Sequence, residues 1–267
     1  MNADTRICVS IAARPGTFGV RFHNSGYRLF DLNFAYVPLC VRAGDTEHAL
    51  RLVRDNFHGC SVSMPHKLRA MELADELHET ASRTGAANTL LRAVDGTLTA
   101  FNTDLMGVLA VAASRRLSIA GAPVLMLGAG GVARAIAVAL TDAGARLVIS
   151  SRTAARAEVL ARQVNASVLS WHERNDASGY LLVNATPIGM DGSEIPLAPE
   201  RVASFDVVMD VVIHPESALI SAARKAGKTL IPGMALAAYQ AAEQFRIYTG
   251  QVLPDAFVQQ AAEGSLP

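Results

Sequence analysis

The chain has 267 residues, of which 51% are hydrophobic and 18% are charged, so it can bury the core of about two domains. Lysine plus arginine and aspartate plus glutamate are equal at 24 each, which excludes a strong overall field for nucleic acid or an anionic membrane and favours a small-molecule partner. Without a run of about 18 apolar residues or a signal-peptide pattern, we expect no membrane span and a cytoplasmic location.

The first half of the chain alternates strand-like and helical segments. Strand-like residues 7–11 precede a helix that ends near Phe30, and strand-like residues 34–37 precede a helix from about residue 46 to 55. Farther on, Thr103 is expected to be the N-cap of a helix that runs to about Arg116. This alternation predicts a small α/β unit.

The second half alternates more regularly. An apolar strand at residues 124–127 leads through four residues, three of them glycine, into an alanine-rich helix that ends at Asp142. Strand-like and helical segments then continue at 146–150, 153–163, 180–183, 206–210 and 229–231. The fold class is therefore predicted to be α/β, with two domains and a Rossmann-type, mostly parallel, doubly wound sheet in the second.

Cysteine and histidine usage bears on metal and disulfide chemistry. Cys8, Cys40 and Cys60 are odd in number and widely spaced, which predicts buried free thiols rather than a disulfide framework or a zinc site. The seven histidines show no metal-ligand spacing, so we expect no metal.

A glycine pattern marks the expected cofactor site. Gly128-x-Gly130-x-x-Ala133 follows a strand and opens a helix, which fits the fingerprint that brings a dinucleotide pyrophosphate to a helix N-terminus. The expected contacts are Gly128, Ala129, Gly130, Gly131 and Val132. A tight strand-to-helix turn without ligand is the plainer alternative.

The end of the next strand indicates which dinucleotide binds. An NAD enzyme would place an acidic residue there, whereas this chain has Ser151, Arg152 and Thr153, with Arg156 one turn later. Hydroxyl and guanidinium groups suit a 2′-phosphate that a carboxylate would repel, so NADP is preferred. For Arg156, solvation of a helix face explains its presence equally well.

Three further segments of the first half carry a family resemblance. They are Ser61-Val62-Ser63-Met64-Pro65-His66-Lys67, Gly85-Ala86-Ala87-Asn88-Thr89 and Asn102-Thr103-Asp104. They resemble the N-V-T-x-P-x-K, G-A-x-N-T and N-T-D motifs of the shikimate dehydrogenase family, in the same order. Because the resemblance continues through Asn184–Met190 and Gly233–Gln240, the chain is similar to that family over almost its whole length, as a divergent, shikimate-dehydrogenase-like member.

The resemblance implies roles for particular residues. Lys67 and Asp104 would be the catalytic pair, and Val211 and Gly233 would lie near the nicotinamide. The implied substrate contacts are Thr17, Ser63, Lys67, Asn88, Asp104 and Gln240. Alternatively, Asp104 simply favours a helix N-terminus, and Asn88 and Gln240 are satisfied core amides.

The chemistry makes sense independently of the resemblance. Oxidation of a secondary alcohol needs a base for the hydroxyl proton while hydride leaves for the nicotinamide. Lys67 can be that base if it is partly neutral: a helix start and burial lower a lysine pKa, whereas the Asp104 carboxylate raises it. Which influence is larger stays open, and a lone lysine is more often a solvated surface charge.

The chain departs from the family at the expected carboxylate contact. An S-x-S pair before a His-Asn is replaced by Thr17-Phe18-Gly19 before His23-Asn24. Loss of a hydrogen bond to a charged group costs about 1.5 to 3 kcal/mol, which predicts roughly ten- to hundredfold weaker shikimate binding. Ile213 replaces a usual Tyr and Leu236 a usual Met. Arg14 is either a replacement contact or a surface arginine.

We therefore expect an NADP-dependent oxidoreductase that oxidises the secondary alcohol of shikimate or a shikimate-like cyclic hydroxy acid (3-dehydroshikimate + NADPH = shikimate + NADP). Residues 1–103 with 237–267 would bind substrate, and residues 104–236 would bind NADP. Quinate or aminoshikimate as substrate, a folate one-carbon dehydrogenase and a cofactor-binding sensor without turnover stay open. The expected assembly is a monomer or a homodimer.

Overall fold

The computed structural model describes residues 1–266, which fold as two units. Unit 1 comprises Met1–Gly107 and residues 238–266, and unit 2 comprises Val108–Ala237. Each unit contains a six-stranded sheet, so the predicted α/β fold with two domains is confirmed. In the described part of the chain, no helix combines the length and apolarity needed to cross a membrane.

The elements alternate along the chain. The strands are β1 (Arg6–Ala12), β2 (Phe34–Cys40), β3 (Gly59–Val62), β4 (Glu76–Leu77), β5 (Thr89–Arg92), β6 (Leu98–Phe101), β7 (Pro123–Leu127), β8 (Arg146–Ser150), β9 (Ser167–Leu169), β10 (Gly179–Asn184), β11 (Phe205–Asp210) and β12 (Thr229–Ile231). The helices are α1 (Phe18–Leu29), α2 (Thr46–Asn56), α3 (Lys67–Glu72), α4 (Glu79–Thr84), α5 (Thr103–Ser114), α6 (Gly131–Asp142), α7 (Ala154–Val164), α8 (Ala218–Lys225), α9 (Gly233–Thr249) and α10 (Asp255–Ala262).

The sheet of unit 1 is mixed, in the order β2-β1-β3-β5-β6-β4. Strands β1, β2 and β3 are parallel, and β5 runs antiparallel to both β3 and β6. Successive side chains of β1 enter opposite cores, because a strand alternates its faces. Val9 packs with Leu50 of α2, whereas Cys8 packs with Phe22 of α1 and Phe245 of α9. Both faces of this sheet are therefore covered by helices.

The sheet of unit 2 is parallel throughout, in the order β12-β11-β10-β7-β8-β9. Val124 to Leu127 of β7 are each at most 3% exposed, as expected for a central strand covered on both faces. The chain runs outward from β7 to β9 and then returns to the other side of β7 at β10. This reversal creates a switch point where ligands of such sheets bind.

Two local predictions are wrong. Helix α5 begins at Thr103, and the cap is Asn102, whose Oδ1 accepts a hydrogen bond from the Asp104 amide at 3.1 Å. The Thr103 hydroxyl instead contacts Asn88 Oδ1 at 3.2 Å. Cys8 and Cys60 are buried free thiols as expected, but Cys40 is exposed because it ends β2 at the sheet edge.

His23 is fully buried between aromatic side chains of unit 1. Its ring stacks on Tyr36 with centroids 4.4 Å apart, and Tyr27, Phe245 and Tyr248 surround it. Burial lowers the pKa of His23 from 6.5 to about 3, because the apolar surroundings disfavour the imidazolium. The histidine therefore stays neutral until strongly acidic pH.

This burial predicts an acid-sensitive fold. The unfolded chain takes up the His23 proton near pH 6.5 and the folded chain only near pH 3, so the free energy of unfolding should fall as pH falls through that window. His23 should contribute up to about 1.4 kcal/mol per pH unit. Urea unfolding between pH 4.5 and 7 should show a shallower pH slope for His23→Leu than for the unaltered chain or for the control His48→Leu, whose side chain is exposed. Equal slopes would contradict this assignment.

Candidate active site

Lys67 and Asp104 form an ion pair in unit 1. Lys67 Nζ lies 2.5 Å from Asp104 Oδ2, and the two side chains are 15% and 8% exposed. Lys67 is the first residue of α3, and Asp104 is the second residue of α5. The structure thus brings the two predicted catalytic side chains into direct contact, with little access for water.

Lys67 is held in place through its neighbour His66. The buried His66 ring donates through Nε2 to the Val41 carbonyl at 3.1 Å, and its Nδ1 lies 2.7 Å from the Thr46 hydroxyl. The Lys67 carbonyl also accepts from the Ala87 amide at 3.0 Å. Both contacts fix the start of α3, from which the lysine side chain projects.

Asp104 is positioned by Asn102. The Asn102 side chain is fully buried and donates to the Thr84 hydroxyl and the Ala86 carbonyl, both at 2.9 Å. Its Oδ1 therefore faces the first turn of α5 and caps the Asp104 amide. Because backbone groups fix both ends of this amide, the entry into α5 is rigid.

Asn88 and Gln240 form a second pair, in which Asn88 Nδ2 donates to Gln240 Oε1 at 3.2 Å. The Thr103 amide donates to Asn88 Oδ1 at 2.8 Å. On the same helix, Gly107 packs against Gln240, and an added Cβ would lie 2.9 Å from the Gln240 nitrogen. The close approach of α5 and α9 thus holds this amide pair beside the helix that carries Asp104.

Thr17 and Ser63 belong to neither pair. Thr17 is the exposed residue before α1, where its side chain does not cap the helix, and Ser63 is exposed just after β3. Gly19 faces the Tyr36 side chain, so an added Cβ would lie 3.3 Å from Tyr36 Oη. Tyr36 therefore occupies the space next to the missing side chain. Arg14 is exposed in the same loop.

The predicted cofactor loop of unit 2 is shaped by Gly128. Its φ is +113°, and an added Cβ would lie 2.6 Å from the Ala185 carbonyl oxygen. Gly128 and Ala185 follow β7 and β10, so the loops at the switch point touch through this glycine. Gly130 has no side-chain cap to offer α6, whose first amides can therefore serve an anion.

The remaining residues of the predicted dinucleotide site lie on the same unit. Ala129, Gly131, Val132 and Ser151 are partly exposed, whereas Arg152, Thr153 and Arg156 are exposed. Thr153 precedes α7 without capping it by its side chain. Uncapped amides, hydroxyls and two guanidinium groups fit a phosphorylated dinucleotide. Their contacts to it stay predictions.

Val211 and Gly233 are in close contact. An added Cβ at Gly233 would overlap the Val212 carbonyl, so only glycine fits where the two loops meet. Val211 is partly buried and follows Asp210, the last residue of β11. Ile213 is 55% exposed and Leu236 is buried, so the two substitutions noted in the sequence lie in different surroundings.

Asp210 is a buried carboxyl that the sequence analysis missed. Burial raises its pKa, and hydrogen bonds from Ser217, Val212 and Asn184 oppose that rise. These bonds tie the ends of β10 and β11 together beside Val211. A polar residue at the end of a buried strand was the available signal, since such groups are hydrogen-bonded when buried.

Comparison with known proteins identifies the family. Residues 18–90 match the family model described as shikimate dehydrogenase substrate binding domain, and residues 110–184 match that of shikimate / quinate 5-dehydrogenase. The chain is 35% identical to a shikimate dehydrogenase-like protein of Haemophilus influenzae, covering 98% of this chain and 97% of that one. The chain belongs to the shikimate dehydrogenase family.

Other members agree in sequence and fold. Shikimate dehydrogenase (NADP(+)) of Rubrobacter xylanophilus is 37% identical, over 88% of this chain and 87% of its own. The Thermus thermophilus shikimate 5-dehydrogenase, solved in complex with NADP(H) and shikimate, superposes with a TM-score of 0.88 at 29% identity, over 98% of this chain and 99% of its own. The resemblance stated from the motifs is confirmed. The roles of individual residues stay predictions.

The two glycines of the cofactor loop allow a matched test. In Gly128→Ala the new methyl group would meet the Ala185 carbonyl at a backbone angle that alanine rarely adopts, so the melting temperature should fall by several degrees. A Cβ at Gly130 meets no atom within 4 Å. Gly130→Ala should therefore keep its melting temperature yet bind NADP more weakly, because the methyl group would face the pyrophosphate. Unchanged NADP affinity in Gly130→Ala would contradict this position for the cofactor.

Proposed function

We propose that this chain interconverts shikimate, or a closely similar cyclic hydroxy acid, and the corresponding 3-dehydro ketone. The chain is an NADP-dependent oxidoreductase of the shikimate dehydrogenase family that acts on a CH–OH donor. The carrying observation is the shielded contact between Lys67 Nζ and Asp104 Oδ2 at 2.5 Å. In this proposal unit 1 binds the substrate and unit 2 binds NADP.

Lys67 is the proposed acid and base, and the composition of the chain supports this role. The only other lysines are Lys225 and Lys228, and the remaining basic residues are arginines. An arginine would keep an ion pair with Asp104 but cannot be deprotonated in a protein. A lysine at position 67 in so arginine-rich a chain therefore suggests that its proton is used, not only its charge.

The proposed reaction needs a hydride acceptor, a proton acceptor and groups that hold the substrate. Bound NADP would supply the hydride acceptor for the carbon that carries the reacting hydroxyl. As a neutral amine, Lys67 takes the hydroxyl proton in the oxidation, and as the resulting ammonium it returns that proton in the reduction. Asp104 holds Lys67 Nζ within reach, while Asn88 and Gln240 bind the neighbouring ring hydroxyls.

The residues of unit 2 favour NADP over NAD. Ser151, Arg152 and Thr153 follow β8, where NAD enzymes have an acidic residue that binds the ribose. The exposed Arg152 and Arg156 can pair with a 2′-phosphate, and no carboxylate stands between them in the sequence. The uncapped N-terminus of α6 would receive the pyrophosphate.

Gly19, which replaces a serine of the family motif, leaves the identity of the substrate open. With no hydroxyl at position 19 and an exposed Thr17, the proposed carboxylate contact has one hydroxyl instead of two. We therefore expect the site to bind the carboxylate of a shikimate-like ring more weakly than a site with two hydroxyls would. This observation keeps quinate and aminoshikimate in the substrate panel.

Substitution of Lys67 tests the proposed function. Lys67→Arg should keep the ion pair and the fold but lower kcat at least a hundredfold, because the guanidinium cannot accept the proton. Initial rates with NADP and with NAD should be measured on shikimate, quinate and aminoshikimate, with Lys67→Ala alongside. Lys225→Arg, which alters an exposed lysine of α8, is the matched control and should keep the full rate.

The outcomes separate the alternatives. NADP-linked turnover that is lost in both Lys67 variants would support the proposal and rank the substrates. Full turnover by Lys67→Arg would exclude Lys67 as the proton carrier. NADP binding without turnover of any substrate would favour a sensor that retains the fold.

Position 19 tests the substrate class. Gly19→Ser adds a hydroxyl, and Gly19→Ala adds the same Cβ without the hydroxyl. Both should be made in the Tyr36→Phe background, since Tyr36 Oη would otherwise lie 3.3 Å from the new Cβ. The serine variant should have a KM for shikimate roughly ten- to hundredfold below that of the alanine variant. The difference should vanish for shikimate methyl ester, which lacks the carboxylate charge. An equal difference for both substrates would rule out a carboxylate contact here.

A further inference from the structure

Gln244 links the predicted substrate amides to the core of unit 1. It lies one turn beyond Gln240 on α9 and is 4% exposed. Its Nε2 donates to the Asn88 carbonyl at 3.2 Å and to the Thr89 hydroxyl at 2.9 Å, and its Oε1 accepts from the Ser61 hydroxyl at 3.1 Å. Both ends of this buried amide are therefore hydrogen-bonded.

Backbone groups fix the orientation of the Gln244 and Asn88 side-chain amides. A carbonyl oxygen only accepts, so the Asn88 carbonyl requires the nitrogen end of the Gln244 amide. A backbone amide only donates, so the Thr103 amide at 2.8 Å requires the oxygen end of the Asn88 side chain. Neither amide can be rotated by 180° without opposing like groups.

The Thr89 hydroxyl links the two amides, because it accepts a hydrogen bond from Gln244 and donates one to Asn88. Because it accepts from Gln244 Nε2, its own proton is free to donate to Asn88 Oδ1 at 2.9 Å. Asn88 Oδ1 then accepts from the Thr89 hydroxyl and from the Thr103 amide. The single proton of the Thr103 hydroxyl can go either to Asn88 Oδ1 at 3.2 Å or to Gln240 Oε1 at 3.4 Å. The Thr89 hydroxyl and the Thr103 amide already occupy both lone pairs of this oxygen, so Asn88 can offer a substrate only the Nδ2 hydrogen that Gln240 does not take.

We propose that Gln244 is a positioning residue that, through Thr89, fixes Asn88 as a pure hydrogen-bond donor, so that the site selects a ring oxygen acting as acceptor. This inference rests on the proposed function, in which Asn88 binds a substrate hydroxyl. Loss of the Gln244 donor frees the Thr89 hydroxyl to turn away, so Asn88 Oδ1 loses one of its donors and can accept a hydrogen bond from a ligand, while the Thr103 amide still orients the side chain.

The test is a cycle of two near-isosteric substitutions. Gln244→Met removes the donor, and Thr89→Val removes the hydroxyl that carries its effect. Each should raise KM for the substrate about tenfold with kcat within about twofold of the unaltered chain, because a ground-state contact is weakened while Lys67 and Asp104 are untouched. The double variant should have the same KM as either single variant, since both break one pathway.

A matched control and a substrate series complete the experiment. Gln259→Met makes the same change on the exposed face of α10 and should leave KM and kcat unaltered. With shikimate analogues that each lack one ring hydroxyl, one analogue should show the same KM for Gln244→Met as for the unaltered chain. That analogue identifies the oxygen that Asn88 binds.

The failures are distinguishable. Absence of turnover by the unaltered chain on every substrate would overturn the proposed function and this inference with it. Turnover with unchanged KM in Gln244→Met, or KM effects that multiply in the double variant, would overturn the positioning role alone. A fall in kcat at constant KM would also overturn it, because that result would place Gln244 in the chemical step.

Discussion

The ion pair between Lys67 and Asp104 places two charges where little water reaches them, and unit 1 is organised around that arrangement. Removing charges from water is unfavourable unless each keeps a partner in good geometry. Here the two charged residues lie in the first turns of two helices, α3 and α5. A buried side chain fixes the start of each helix. His66 immediately precedes Lys67, and Asn102 lies two residues before Asp104.

The same principle governs the amides beside the ion pair. Asn88 and Gln244 are each oriented by a backbone group that can only donate or only accept. Side-chain hydroxyls alone would leave the direction of the bonds undetermined, because a hydroxyl can do either. The backbone of β5 and α5 therefore sets the polarity that a substrate would meet. This polarity follows from strand and helix packing and not from the identity of Asn88 alone.

In unit 2, close contacts between backbone segments fix the loops of the predicted cofactor site. Gly128 lets the loop after β7 touch the loop after β10, and Gly233 lets the chain before α9 touch the loop after β11. Between them, Asn184 and Asp210 join the ends of β10 and β11 by a hydrogen bond of 2.9 Å. The ends of three parallel strands are thereby fixed at the edge where doubly wound sheets bind nucleotides.

The sequence by itself determined the family, the α/β class and most strands of unit 2, because buried parallel strands are continuous apolar runs and glycine turns have a strong pattern. It also identified Lys67 and Asp104 as candidates. It did not predict β3, β4, β5 and β6 of unit 1, and it assigned the α5 cap to Thr103 instead of Asn102. Only the tertiary structure decided the partners: that Lys67 meets Asp104 at 2.5 Å, that Tyr36 stands against Gly19, and that Gln244 reaches Asn88 from 156 residues away. Local patterns cannot specify such contacts, since they depend on which sheet edges and helix faces the whole chain brings together.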